Sequence, residues 1–180
     1  MEAIFMKCDV NIDKLQVAGF LDNSLANGKG LRSVLFLSGC IHNCKGCHNK
    51  LMQDFSYGEK VSLDNIILRI KRNMPLIKGV TFSGGEPFEQ ADKLSKLSKL
   101  VKKENLNIWC YTGYTFEYIL NNMNNNGWKE LINNVDILVD GRFEEDKVEQ
   151  GLKYKGSSNQ RIINVRESFK KNKIIMYNLD

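Results

Sequence analysis

At 180 residues and 20.6 kDa, 42% hydrophobic and 26% charged, the chain has the length of one domain and enough apolar residues to bury a core. That composition excludes a disordered or collagen-like chain, and a scattered net charge of +5 is too weak to point to nucleic acid. Apolar runs stop at four residues, which excludes a membrane-spanning segment, and the start MEAIFMKCDV lacks the basic and long apolar parts of a signal peptide. A cytoplasmic, reducing setting is the expectation. Five cysteines, three of them within eight residues, make a poor disulfide framework and read better as metal ligands.

In chain order, residues 14–18 predict a first strand, followed by a glycine-containing loop, Asn27-Gly28-Lys29-Gly30. Residues 34–37 predict a buried strand, with a long loop after it. Residues 63–71 predict a helix through Ile66, Ile67 and Ile70, with Ser62 placed to cap it. A second buried strand follows at 80–82. Residues 88–103 then carry Leu94, Leu97, Leu100 and Val101 at helical spacing, with lysines mainly on the other faces. Residues 108–111 predict the next strand, and a helix starts near Thr115. The Asn-rich tract at 121–126 reads as a helix end, with Gly127 as its stop. Residues 137–139 predict a fourth buried strand and residues 174–177 a final one.

The last three buried strands recur at roughly 28 residues, the spacing of strand–helix units with parallel strands. A complete eight-unit barrel needs about 250 residues, so this chain has room for only part of one. The expected fold is a single α/β domain over residues 1–180: a partial, open β/α barrel with a mostly parallel sheet. In such a sheet the strand C-termini share one rim, where ligands bind. The cysteine loop (38–49), Gly84-Gly85-Glu86, Thr112-Gly113 and Asp140-Gly141 each follow one of the four strands, so four distant motifs are expected at one mouth.

Cys40, Cys44 and Cys47 are soft thiolate ligands that can wrap a loop around an iron–sulfur cluster, leaving one iron of a [4Fe–4S] cube without a protein ligand. A structural zinc with His42 or His48 as fourth ligand is the alternative. The literal haem-attachment pattern Cys44-Lys45-Gly46-Cys47-His48 ranks last, because it leaves Cys40 unexplained. Gly84-Gly85-Glu86-Pro87 opens a helix with proline at its first position. It exposes backbone to a ligand and offers the Glu86 carboxylate to an ammonium group.

Cys-x3-Cys-x2-Cys with a downstream Gly-Gly-Glu-Pro resembles the radical S-adenosylmethionine enzymes. Further stretches narrow the likeness: Cys47-His48-Asn49, Tyr111-Thr112-Gly113-Tyr114, Asp140-Gly141-Arg142-Phe143 and Gly156-Ser157-Ser158-Asn159-Gln160-Arg161. With these, the chain resembles the activating proteins of anaerobic (class III) ribonucleoside-triphosphate reductases, over most of its length. Pyruvate formate-lyase activating enzyme is the sibling to exclude, since it shares the earlier motifs but not the later ones. The resemblance implies a [4Fe–4S] cluster on Cys40, Cys44 and Cys47, with S-adenosylmethionine chelating the open iron. It implies cofactor contacts from Gly46, Cys47, His48, Gly84, Gly85 and Glu86, with Glu86 pairing the cofactor's ammonium. It also implies reductive cleavage of the cofactor, a glycyl radical on the reductase, and an electron donor such as reduced flavodoxin. Neither nucleic acid nor membrane is an expected partner.

Among single residues, Cys110 reads as a packed thiol, and Cys8 has no partner spacing. His42 and His48 read as loop residues within the motif. Tyr111, Thr112 and Asp140 stand on the expected rim, and Asn159, Gln160 and Arg161 are candidates for cofactor or partner contact. The acidic run at 144–149 and the basic one at 170–173 read as solvated surface.

Overall fold

The structure, a computed structural model, describes residues 13–179. Cys8 lies outside the described residues. One seven-stranded sheet carries the fold, in the order β3-β1-β2-β4-β5-β6-β7. Its strands are β1 (Lys14–Ser24), β2 (Arg32–Leu37), β3 (Glu59–Ser62), β4 (Gly79–Gly84), β5 (Asn107–Tyr111), β6 (Ile137–Asp140) and β7 (Arg161–Asn164). The helices are α1 (Leu63–Arg72), α2 (Ala91–Lys103), α3 (Phe116–Asn121), α4 (Trp128–Asn134) and α5 (Val165–Lys171).

The four buried strands of the sequence are all present, and β2, β4, β5 and β6 run parallel to one another. The expectation of a mostly parallel sheet needs correction. β1 pairs antiparallel with both β2 and β3, and β7 pairs antiparallel with β6, so the α/β sheet is mixed. The physical reason lies in the connections. A parallel neighbour needs a crossover of a dozen or more residues, usually through a helix, whereas β1 reaches β2 by a short loop. The link from β6 to β7 is long but holds only a single 3₁₀ turn at Glu145–Lys147, with no helix to carry the chain across the sheet.

Ser62 caps α1 as its position predicts, accepting a hydrogen bond from the Asn65 amide at 3.3 Å. Leu63, Ile66, Ile67 and Ile70 fall on the buried face. In α2 the buried stripe is Leu94, Leu97 and Val101, and outward lysines reach carboxylates: Lys96 to Asp13 at 2.8 Å and Lys102 to Asp136 at 2.7 Å. The predicted helix at 88–103 begins as a 3₁₀ turn over Pro87–Gln90. Gly127 does not stop a helix. It is the left-handed residue (φ 79°) that opens α4, an element the asparagine tract concealed. The predicted strand at 174–177 is reduced to a single bridge, Ile163 with Met176, lying along β7.

Side chains alternate across the sheet, as a pleated strand requires. Ile108, Cys110, Leu138 and Ile163 join the large core under the helices. Trp109, Ile137, Val139 and Ile162 face the other way, into a smaller cluster with Tyr111, Tyr154 and Tyr177. Tyr154 and Tyr177 meet Trp109 edge-on at 5.6 and 5.5 Å. Among the described residues no helix is long and apolar enough to cross a membrane.

Candidate functional site

Because β2, β4, β5 and β6 are parallel and in register (Leu37 opposite Gly84, Phe82 opposite Cys110, Tyr111 opposite Val139), their C-terminal ends form one rim. A cavity of about 300 Å³ opens there, within the size range of small-molecule sites. Cys40, Cys44, Cys47 and His48 line it from the loop after β2; Gly84 and Gly85 from the end of β4; Tyr111, Thr112 and Gly113 from the end of β5; and Gly141 and Phe143 from beyond β6. The expected convergence of the four motifs is present.

The cysteine loop is tied to the glycine turn by backbone. The Gly39 carbonyl accepts from the Glu86 amide at 2.7 Å, the Leu37 carbonyl from the Gly85 amide at 2.8 Å, and the Asn49 side chain donates to the Gly84 carbonyl at 3.0 Å. Gly84 has φ 104°, and a Cβ there would lie 2.4 Å from the backbone of Leu37, so neither the torsion nor the space admits another residue. His48 tilts against Phe143 with ring centroids 4.7 Å apart. Gly46 is exposed beside the Lys45–Glu145 ion pair and does not line the cavity.

All three cysteines are half-buried and none is in a disulfide. Burial above all, with smaller contributions from charge on Glu86, Cys44 and Cys47, pushes the Cys40 thiol up to about 11. Burial also raises Cys44, against the Phe143 amide and the Arg142 cation, which lower it. The thiols therefore feel one another's charge across one cavity, and cations placed among them would stabilise all three thiolates together. Among the described residues, no group of three or more His, Cys, Asp or Glu side chains is placed to hold one metal ion. Three soft thiols spread around a shared space suit a polynuclear cluster, so the donor set fits a [4Fe–4S] group.

Glu86 is fully buried and does not line the cavity. Its Oε1 accepts from the Phe88 amide at 3.0 Å and the Thr112 hydroxyl at 2.8 Å. Its Oε2 accepts from the Gly113 amide at 2.8 Å and lies 2.9 Å from His42 Nε2. Pairing this carboxylate directly with a ligand ammonium would displace one of those partners. His42, expected as a loop residue of the motif, is buried and lines the cavity. No local signal links two residues 44 positions apart.

Asp140, also buried, lines a neighbouring cleft rather than this cavity. It accepts from the Phe116 amide at 2.7 Å and from both Nε (2.9 Å) and Nη2 of Arg161, whose guanidinium also forks onto Glu117. Asn159 donates to the Arg142 carbonyl and Gln160 to the Gly141 carbonyl, both at 2.9 Å. The stretch 156–161 thus fastens the loop after β6, and Gln160 reaches the cavity wall. Asn27 reaches it from the glycine-containing loop, held by the Thr81 hydroxyl, which donates to its carbonyl at 2.7 Å.

Comparison with known proteins comes from two directions. Residues 26–163 match the model of a family described as a 4Fe-4S single cluster domain. The anaerobic ribonucleoside-triphosphate reductase-activating protein of Vibrio cholerae serotype O1 is 35% identical over 144 residues, covering 76% of this chain and 89% of that protein. The proteins of the same name from Escherichia coli K12 and phage T4 are 33% and 31% identical. Those matches cover 79% and 85% of this chain, and 94% and 93% of the relatives.

Proposed function

Because the chain belongs to the 4Fe-4S single cluster domain family and to the anaerobic ribonucleoside-triphosphate reductase-activating proteins, we propose that it activates such a reductase by radical S-adenosylmethionine chemistry. The observation that carries this reading is the sharing of one cavity by Cys40, Cys44 and Cys47 with the half-buried glycine turn at Gly84 and Gly85. In this reading the chain is a single domain over residues 1–180, a cytoplasmic oxidoreductase whose sheet is the working part of an open β/α barrel. Its electrons come from a donor such as reduced flavodoxin.

Cys40, Cys44 and Cys47 would hold the cluster and, as only three protein ligands, would leave a place on it for S-adenosylmethionine. When bound, the two groups together supply a one-electron reductive cleavage that ends as a glycyl radical on the reductase. The protein's part is placement. Gly84 and Gly85 let the backbone approach the methionine end closely, and Glu86 fixes that turn and the imidazole beside it. Cys47 and His48 meet the adenosyl end from the cysteine loop, and Gly46, outside the cavity, shapes the turn that presents them. The rim residues around them align the partner's glycine and keep water out, which is where an enzyme of this kind gains its rate.

The test is a radical assay on anaerobically purified protein. Iron and acid-labile sulfide are measured first; the reduced protein is then mixed with S-adenosylmethionine and either the anaerobic reductase or pyruvate formate-lyase. A glycyl electron paramagnetic resonance signal on the reductase is expected. A colourless, zinc-containing protein would overturn the cluster, and a signal on the formate-lyase alone would transfer the activity to the sibling family.

A further inference from the structure

A second cleft, of about 490 Å³, opens between α3 and the starts of α2 and α4, and shares no lining residue with the cavity of the thiols. Its walls are aromatic and acidic. Tyr118 lies parallel to Tyr114 with ring centroids 5.2 Å apart, and Trp128 is tilted against them at 6.2 and 4.9 Å. Glu89 and Asp92, three residues apart around the start of α2, add two carboxylates. The chain carries a net charge of +5, yet no Lys or Arg lines this cleft. Among the described residues neither carboxylate is in an ion pair. We infer that the cleft receives an arginine side chain of the reductase and anchors that partner while its glycine enters the neighbouring cavity. The inference rests on the function proposed above.

Packing alone accounts for the inner half of the cleft. Phe88 and Trp128 are buried in the main core and meet edge-on at 5.2 Å. It does not account for the outer half. Tyr118 is 49% exposed, and the Asp92 carboxylate accepts no hydrogen bond among the described residues. Glu89 engages one oxygen, which accepts from the Tyr114 hydroxyl at 2.6 Å. Gly127 lets α4 start so close to α2 that a Cβ there would lie 2.4 Å from the Asp92 backbone nitrogen, and this brings Trp128 and Asp92 to one cleft. An aromatic face attracts a cation through its quadrupole. A guanidinium fits ring and carboxylate together better than an ammonium, because it stacks on the one and forks onto the other. Arg, Tyr and Trp are also the side chains that dominate binding at protein interfaces. The position suits a polypeptide partner: Tyr114 meets His42 of the cavity wall at 4.4 Å, and its neighbour Gly113 lines the cavity.

Reduced, cluster-loaded protein is tested in two assays: cleavage of S-adenosylmethionine without a partner, and glycyl-radical formation against rising reductase concentration. Tyr118→Ala and Asp92→Asn should each raise the half-saturating reductase concentration roughly twofold to thirtyfold, the span for a cation held on an aromatic face. Tyr118→Phe keeps the ring and should keep the affinity. Partner-free cleavage, iron content and thermal unfolding should match the unaltered chain in all three. The peptide acetyl-Gly-Arg-Gly-amide should compete with the reductase, and its citrulline counterpart, alike in shape but uncharged, should not. Unchanged half-saturation in both Tyr118→Ala and Asp92→Asn would overturn the inference. So would equal losses in Tyr118→Phe and Tyr118→Ala, by placing the contact on the hydroxyl, or equal competition by the two peptides, by removing the charge from it. A parallel fall in partner-free cleavage would overturn it in favour of a structural role. If the unaltered protein neither cleaves S-adenosylmethionine nor yields a radical, the function proposed above is what fails.

Discussion

Two buried carboxylates stand on the same rim and are handled in opposite ways. Asp140, at the end of β6, receives a guanidinium: Arg161 contacts both of its oxygens and continues to Glu117. Glu86, just beyond β4, receives two backbone amides, a hydroxyl and an imidazole, and among the described residues no Arg or Lys side chain bonds to it. Each also closes the start of a helical segment, Asp140 through the Phe116 amide and Glu86 through the Phe88 amide. The difference separates two tasks. The charge of Asp140 is balanced inside the scaffold, so this residue holds β6, α3 and β7 together. Glu86 is held instead by amides, a hydroxyl and the His42 imidazole, beside a cavity lined by three thiols.

Substitutions can break that division at several depths. The largest effect is expected at the thiols: replacing Cys40, Cys44 or Cys47 singly by Ala should abolish radical formation, read by electron paramagnetic resonance, while circular dichroism stays that of the folded protein. Full activity in any one of the three would remove it from the ligand set.

On the scaffold side, Arg161→Met should lower unfolding free energy by about 2 kcal/mol in urea titrations and leave iron per folded molecule unchanged. The figure lies below that for breaking a fully buried pair because the Arg161 side chain is 31% exposed. A cluster lost with the fold intact would show that Asp140 and its partner serve the chemistry after all.

The same pair sharpens the comparison through pH. Arg161 holds the Glu117 carboxyl down at about 2, from an ordinary 4.5. A carboxylate depressed in the folded state contributes its stability above the unfolded value and loses it as pH falls through the folded one. The stability gap between the natural chain and Arg161→Met should therefore be full above pH 4.5 and narrow toward pH 2. Asp22, held at about 2 by Arg69, supplies an internal reference that the substitution leaves untouched. A gap that stays constant down to pH 2 would show that the pair is not what Arg161 contributes. The smallest effect is expected at Cys110, fully buried in the main core, where burial pushes the thiol well above its usual range. Cys110→Ala should cost about 1 kcal/mol through a small cavity and leave iron content alone; a fall in iron would make it part of the centre.

How much of this was legible in the sequence follows from how local each signal is. Val34–Leu37 and Ile108–Tyr111 are short apolar runs bounded by turns, and runs of that kind are what buried parallel strands require. The cysteine spacing and Gly-Gly-Glu-Pro are local chemistry, readable without a fold. β3 (EKVS) and β7 (RIIN) are four-residue edge strands with too little apolar alternation to register, which is why the sheet looked mostly parallel. Gly127 was ambiguous because a left-handed glycine serves at either end of a helix. The pairs His42–Glu86 and Asp140–Arg161 join residues 44 and 21 positions apart, and only the crossing of loops over the rim brings them together.

Arg32 sits at the far end of the sheet from the thiols, fully buried, and among the described residues no carboxylate bonds to it. Its guanidinium donates to the carbonyls of Lys29, Val80 and Asn107 and to the Thr81 hydroxyl, and it lies over the Trp109 ring at 5.4 Å. Those acceptors belong to three separate stretches of chain and stand together only once β2, β4 and β5 are side by side. Until then the cation keeps its water. The loop that brings Asn27 to the cavity wall is therefore anchored by a cation whose partners exist only where those three strands are paired, so framework and pocket share one buried fastening.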